Sequence, residues 1–359
     1  MSARSEYRDP ALARKLAAAI AAEVGDRPFS VMEVCGGQTH TIYKYRLREI
    51  LPPNLRLVSG PGCPVCVTPI GYIDQAIALA LDHAARVFTF GDLTRVPGTR
   101  LSLEKAAAEG AEIHAVYSPF QALETAREHP DREVVFLGVG FETTLPGFGL
   151  AIQRARKAGV KNFSVLLSAK RVPPVLEALL ASGEAEIDGF ITPGHVTSII
   201  GARAYDELRA RFRVPMVVGG FEPVDLLGAL HALAAEWARG GHANLNAYAR
   251  GASYGGNRKA QAVIADVFEE RDAELRGLGL IPKAGYGIRA AYAAFDAERK
   301  FDLVTDSRAP KGCVCGDILK GLKQPPECPL FGTRCAPDSP VGACMVSAEG
   351  ACNAAYLFQ

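Results

Sequence analysis

Six cysteines fall within the last fifth of the chain: Cys313, Cys315, Cys328, Cys335, Cys344 and Cys352. They run as Cys-x-Cys, then gaps of twelve, six, eight and seven residues, mostly among Gly, Pro and charged side chains. So few apolar neighbours do not make a good core, and another interaction must tie the segment together. Sulfide-bridged iron is soft and prefers soft sulfur donors, and a cubane cluster takes four thiolates from one region. Six cysteines meet that need and leave two for a redox-active disulfide beside the metal. Zinc is the competing reading, but structural zinc favours regular Cys-x2–4-Cys pairs, which these spacings are not. Spacing alone does not choose which four of the six would bind iron.

Three more cysteines lie near the start. Cys35 precedes Gly36-Gly37-Gln38-Thr39-His40 at the expected junction of a strand and a helix. Free N–H groups at a helix start favour a thiolate, which is both nucleophile and metal ligand. The alternative is a buried small hydrophobe, but the two glycines suggest close backbone approach to a ligand. Cys63-Pro64-Val65-Cys66 is a CxxC at a helix start, the arrangement of dithiol/disulfide exchange; half of a zinc site is its rival. His40 and His195 are candidate proton donors or metal ligands. Glu142 and Glu222 follow Gly140-Phe141 and Gly220-Phe221 and serve either as catalytic carboxylates or as helix caps. No phosphate-binding glycine loop of either common type occurs, so the motifs predict no nucleotide site.

These residues need a scaffold that gathers them. From about residue 30 to 225 the chain repeats a short β-branched run, a Gly/Pro-rich turn and a helical stretch. Strands are predicted at Ser30–Val34, Arg56–Ser59, Arg86–Phe90, Glu133–Gly138, Phe163–Leu167, Gly189–Thr192 and Pro215–Gly219. Helices are predicted at Pro69–Ala84, Leu101–Glu109 and Pro119–Glu128, with another from Pro223 to near Gly240. Thr68-Pro69 and Ser118-Pro119 each read as an N-cap followed by proline at the first helical position. Alternation of this kind implies an α/β fold with parallel sheets covered on both faces. The expected organisation is two doubly wound domains, 1–117 (with Cys35, Cys63 and Cys66) and 118–240, then a C-terminal iron–sulfur domain, 241–359. Open parallel sheets bind ligands beyond the carboxyl ends of their strands, where Cys35, Cys63, Glu142 and His195 are expected to converge.

Composition narrows the function. The 359 residues carry 40 basic and 39 acidic side chains, without the basic excess of a nucleic-acid-binding domain. No apolar run reaches the roughly 18 residues of a membrane span. The charged N-terminus, with Arg4, Glu6, Arg8 and Asp9, does not read as a secretory signal. A cytoplasmic protein is expected, where nine cysteines point to metal or redox chemistry rather than structural disulfides.

Motifs along nearly the whole chain resemble the HypD family of hydrogenase maturation factors: Met32–His40, Gly60–Cys66, Gly140–Thr144, Pro193–Val196 and the tail Gly342–Cys352. The resemblance implies a scaffold for the Fe(CN)2CO unit of [NiFe]-hydrogenase. It implies a complex with the small chaperone HypC and cyanide delivery from HypE, which HypF charges with carbamoyl. On that pattern Cys35 holds the iron together with a cysteine of HypC, and Cys63 and Cys66 form a redox pair. The family is also similar to ferredoxin:thioredoxin reductase in its cluster region. That likeness assigns Cys313, Cys328, Cys335 and Cys352 to a [4Fe–4S] cluster and Cys315 with Cys344 to a disulfide. A stand-alone iron–sulfur-dependent protein disulfide reductase is the second expectation; it leaves Cys35 without a role.

Overall fold

The computed structural model describes residues 6–358. Its strands are β1 (Phe29–Glu33), β2 (Leu55–Ser59), β3 (Arg86–Thr89), β4 (Ile113–Ala115), β5 (Val134–Gly140), β6 (Phe163–Ala169), β7 (Gly189–Pro193), β8 (Met216–Gly219), β9 (Asn244–Asn246), β10 (Phe268–Leu275) and β11 (Gly279–Ile288). The helices that matter for the site are α1 (Pro10–Val24), α2 (Gly36–Lys44), α3 (Pro64–Val67), α4 (Ile70–Leu81), α5 (Leu103–Ala108), α6 (Pro119–Glu128), α7 (Leu145–Lys157), α8 (Val172–Ser182), α9 (Gly194–Ile200), α10 (Asp206–Phe212), α11 (Pro223–Ala238), α12 (Arg258–Val267), α13 (Ala297–Lys300), α14 (Cys315–Leu319) and α15 (Ala351–Phe358).

Two parallel sheets carry the fold, as alternation predicts. The first runs β2-β1-β7-β8-β9, the second β4-β3-β5-β6, and β10 with β11 forms an antiparallel hairpin. All seven predicted strands are present within about two residues of their expected bounds. Their apolar runs are buried on both faces, the signature of a covered parallel sheet: β5, β6 and β7 are buried throughout.

Sheet membership does not follow the sequential division expected near Tyr117 and Gly240. The first sheet combines residues 29–59 with residues 189–246, and the second is built from the intervening 86–169. The Tyr117 boundary falls inside the second layer, between β4 and α6, and β9 completes the first sheet beyond Gly240. Alternating strands and helices fix the repeating unit, but crossover packing decides which sheet a strand joins. The cysteine segment shares a core with both sheets. Met32 and Val58 of the first, Val135 and Leu137 of the second, and Cys66, Cys315, Cys344 and Cys352 belong to one buried cluster.

Local chemistry accounts for several element ends. Asp9 accepts hydrogen bonds from Ala11 N and Leu12 N, at 2.7 and 3.3 Å, ahead of Pro10 at the first turn of α1. Ser118 caps α6 as predicted, accepting from Phe120 N at 3.3 Å. Thr68 does not cap α4. It ends α3, its hydroxyl donating to Pro64 O at 2.8 Å, because the four-residue CxxC helix consumes it first. Among the described residues no helix is long and apolar enough to cross a membrane.

A close approach of two backbones lies where β1 and β2 end. A Cβ on Gly62 would stand 2.2 Å from Cys35 N, inside the repulsive wall of any side chain. Gly62→Ala is therefore expected to destabilise the protein by on the order of 3 kcal/mol, the upper range for overpacking. Ser118→Ala, which only removes a cap, should cost about 1 kcal/mol. Urea denaturation of both variants tests the ranking, and equal losses would contradict it.

Candidate functional site

The chain runs outward from β1 to β2, leaves to build the second sheet, and returns as β7 on the other side of β1. The crevice between β1 and β7 is thus a topological switch point, where ligand sites of open parallel sheets form. Cys35 follows β1 and His195 opens α9 after β7, so the two side chains meet there. Cys35 Sγ lies 3.6 Å from His195 Nδ1.

Cys35 is the N-cap residue of α2, and its carbonyl accepts from Gln38 N and Thr39 N at 3.0 Å each. The sulfur is buried. Burial pushes its pKa well up, Glu349 and Glu33 add to the rise, and the peptide N–H groups of Gln38 and Gly37 oppose it. The helix start therefore acts in the expected direction but loses to desolvation, so the thiol is favoured until a cation or base shifts the balance. Burial lowers the His195 pKa to about 4, leaving a neutral imidazole that can share a hydrogen bond with the thiol or bind a metal.

Several neighbours shape this crevice. Gln38 Nε2 reaches the carbonyls of Thr192, Gly219 and Gly220 at 3.4, 3.1 and 3.3 Å, bracing α2 against the ends of β7 and β8. The Phe221 ring lies 5.3 Å from that of His195. Glu349 covers the start of α2 so closely that a Cβ on Gly36 would lie 2.4 Å from Glu349 Cβ. Glu33 is fully buried, accepts from Thr39 Oγ1 at 2.7 Å and from Cys35 N at 3.4 Å, and is pushed up to about 7 by burial. Sequence reading passed over both carboxylates. Glu33 carried a usable signal, a lone acid in the apolar run Val31–Val34; Glu349, remote in sequence, carried none.

The remaining acid–base candidates are placed elsewhere. His40 points to the C-terminal segment, with Nδ1 3.1 Å from Ala348 O and its ring edge-on to Phe358. Glu222 holds Arg8 through two hydrogen bonds of 2.5 and 2.8 Å and joins Asp225 in a capping box at the start of α11. Glu142 is buried after β5. Its Oε1 accepts from Val172 N at 3.0 Å at the start of α8, while Oε2 has no partner. Burial raises it to about 7.

The CxxC stands beside this crevice. Gly36 N donates to Gly62 O at 3.3 Å and Gly60 N to Glu33 O at 2.8 Å, stitching the two turns together. Cys63 caps α3, its sulfur accepting from Cys66 N at 3.3 Å. The Cys66 thiol neighbours both Cys63 and Cys344, and burial, reinforced by those two thiols, raises its pKa. Cys344 in turn neighbours Cys315, Cys352 and Cys66, and Cys315 neighbours Cys313. A continuous line of sulfur thus runs from the C-terminal segment to the CxxC.

All six C-terminal cysteines, with Leu330, Phe331, Gly342 and Met345, line one small, tightly closed cavity. Among the described residues no three His, Cys, Asp or Glu side chains stand close enough to cage a single ion. An iron–sulfur cluster takes each thiolate on a separate iron, so thiols spread around an apolar cavity suit it, and the donor set fits that group.

Fold and site together define an α/β protein whose chemistry-bearing groups are buried thiols arrayed from a switch-point crevice to a cysteine-lined cavity. Residues 11–359 match the HypD family, described as the hydrogenase formation hypA family. The chain is 48% identical to the hydrogenase maturation factor HypD of Azotobacter vinelandii over 98% of this chain and 96% of that one. It is 47% identical to HypD of Rhodobacter capsulatus over 100% and 98% of the two chains, and 44% identical to HypD of Escherichia coli over 93% and 90%. The chain belongs to the HypD family of hydrogenase maturation factors.

Glu142 offers a pH test of its burial between β5 and α8. Its ordinary value of 4.5 rises to about 7 on folding, so the stability it contributes is full below about 4.5 and is lost as pH climbs through about 7. The span corresponds to on the order of 3 kcal/mol. Glu142→Gln keeps the acceptor for Val172 N–H and removes the ionisation. Urea titrations at pH 5 and pH 8 should show a smaller loss of stability in the variant than in the parent. An unchanged loss would place the ionisation elsewhere.

Proposed function

We propose that this chain, a hydrogenase maturation factor by family, is the scaffold and redox protein on which the Fe(CN)2CO unit of [NiFe]-hydrogenase is assembled. In this reading the iron is cargo, held by Cys35 together with a thiolate of HypC, while cyanide arrives from HypE after HypF has charged it with carbamoyl. The observation that carries the reading is the Cys35–His195 pair at the switch point, its sulfur buried and its imidazole half-buried, joined through backbone contacts to the CxxC turn. Strong-field diatomic ligands need an electron-rich, water-poor iron. Cys35 supplies a thiolate once a cation offsets its burial, the proton it loses passes to solvent on metal binding, and Phe221 packs beside the neutral imidazole of His195.

Cys313, Cys328, Cys335 and Cys352 would hold a [4Fe–4S] cluster, which supplies single electrons at low potential from a reduced electron-carrier protein. Two electrons and two protons convert the Cys315–Cys344 disulfide to thiols. The thiolate of Cys344 then attacks Cys66 of an oxidised CxxC, forming a Cys344–Cys66 bond and releasing Cys63. Attack of Cys315 on Cys344 restores the first disulfide and releases Cys66. The net result is a reduced CxxC beside Cys35, available to the reductive steps of ligand attachment. The contact between Cys66 and Cys344 would serve the stand-alone disulfide reductase equally well, and only the cargo separates the two readings.

Anaerobic co-purification with HypC followed by infrared spectroscopy is the test. Cyanide and CO stretching bands are expected from the parent complex. Cys35→Ala should lose at least nine-tenths of their intensity while retaining the broad absorption near ~400 nm of thiolate-bound iron–sulfur centres. Bands that survive in Cys35→Ala would remove that residue as the iron ligand. Absence of bands from the parent complex would favour the reductase, and zinc in place of sulfide would overturn the cluster.

A further inference from the structure

Arg276 lies in the turn between β10 and β11 and is 8% exposed. Its backbone N–H donates to Val67 O at 2.9 Å, Nε to Thr68 O at 2.8 Å and Nη2 to Pro97 O at 3.2 Å. All three acceptors are neutral carbonyls, two of them on the last residues of the CxxC helix and its cap. The adjacent residue fixes the opposite side. A Cβ on Gly277, whose φ is +81°, would stand 2.6 Å from Gly316 Cα, so the turn is pressed against the first turn of α14, next to Cys315.

A guanidinium keeps its charge inside a protein, and a buried charge is unfavourable without a counter-charge. Among the described residues no carboxylate forms an ion pair with Arg276. Burial acts against its charge, and the groups that favour that charge are Cys315, Cys344, Cys313 and Cys66. The complement of this arginine is the line of sulfur itself.

We propose that Arg276, held against the end of the CxxC helix, is the counter-charge for electrons taken up there, a positioning residue that sets how readily Cys63–Cys66 is reduced. The inference rests on reading Cys63 and Cys66 as a redox pair. When two electrons enter a disulfide the S–S bond breaks, one sulfur takes a proton and the other remains a thiolate facing the guanidinium. Without the cation, that negative charge is buried with no compensating charge from Arg276, so the disulfide is favoured.

The test uses full-length, anaerobically purified, cluster-containing protein equilibrated in dithiothreitol redox buffers, with the Cys63–Cys66 pair read by mass spectrometry after alkylation. Arg276→Met should lower the dithiol:disulfide equilibrium constant about tenfold, which for a two-electron couple is about 30 mV. Arg276→Lys keeps the charge without the planar fork and should stay within about twofold of the parent. Arg276→Gln, neutral but able to donate to Thr68 O, is the variant to use if Met prevents folding, and it should behave as Met is expected to. A parent-like constant in the neutral variants, or an equal loss in Lys and Gln, overturns the role of charge. If the parent shows no reducible pair, the relay reading fails on its own. The rate of Cys66 alkylation at fixed pH then decides Arg276: a several-fold fall in Arg276→Gln but not in Arg276→Lys supports it, and no fall overturns it.

Discussion

The contact between two backbones at the ends of β1 and β2 is the constraint on which the rest of the site depends. Parallel neighbours leave the sheet side by side, and here their exit turns touch directly, Gly62 against Cys35, with Gly60 and Gly36 completing the hydrogen bonds. No side chain fits between them. The separation of Cys35 from the CxxC is thereby set by peptide geometry, which does not change rotamer. From that fixed point α3 carries Cys66 toward Cys344, and α2 carries Gln38 to the carbonyls of β7 and β8. The crevice and the cysteine cavity are held in register by main chain.

Desolvation governs the electrostatics of the crevice. Glu33, Cys35 and His195 are all driven toward their neutral forms, and burial is the leading cause for each. The dipole at the start of α2 and the short hydrogen bond from Thr39 act the other way and lose. Such a site holds little net charge of its own, so a cation entering it would dominate the local field and favour the Cys35 thiolate. Arg276 is the exception, a permanent charge set among sulfurs.

Much of this was legible in the sequence because the signals are local. Apolar β-branched runs bounded by Gly and Pro gave the seven strands, and the turns carrying Cys35, Cys63 and His195 followed from their places at strand ends. The remainder depends on long-range packing. Short, polar β9 has no apolar run, β4 is only three residues long, and the charged stretch Phe268–Leu275 hides the alternation of its hairpin. Nothing in the spacing of six cysteines says that Cys344 neighbours Cys66, because that approach joins residues about three quarters of the chain apart. Arg276 reads as an ordinary surface charge until its surroundings are known.

The first sheet is closed by strands from two distant stretches, with the whole second sheet encoded between them. During synthesis, Cys35 leaves the ribosome long before β7, β8 and the segment bearing Glu349 exist to enclose it. Domains fold as units once their parts are available, and non-local pairing comes late. The nascent chain therefore carries an open, solvated cysteine, and the dry pocket around it appears only when translation is nearly finished. The crevice is in this way closed only when the cysteine-lined cavity has also been made.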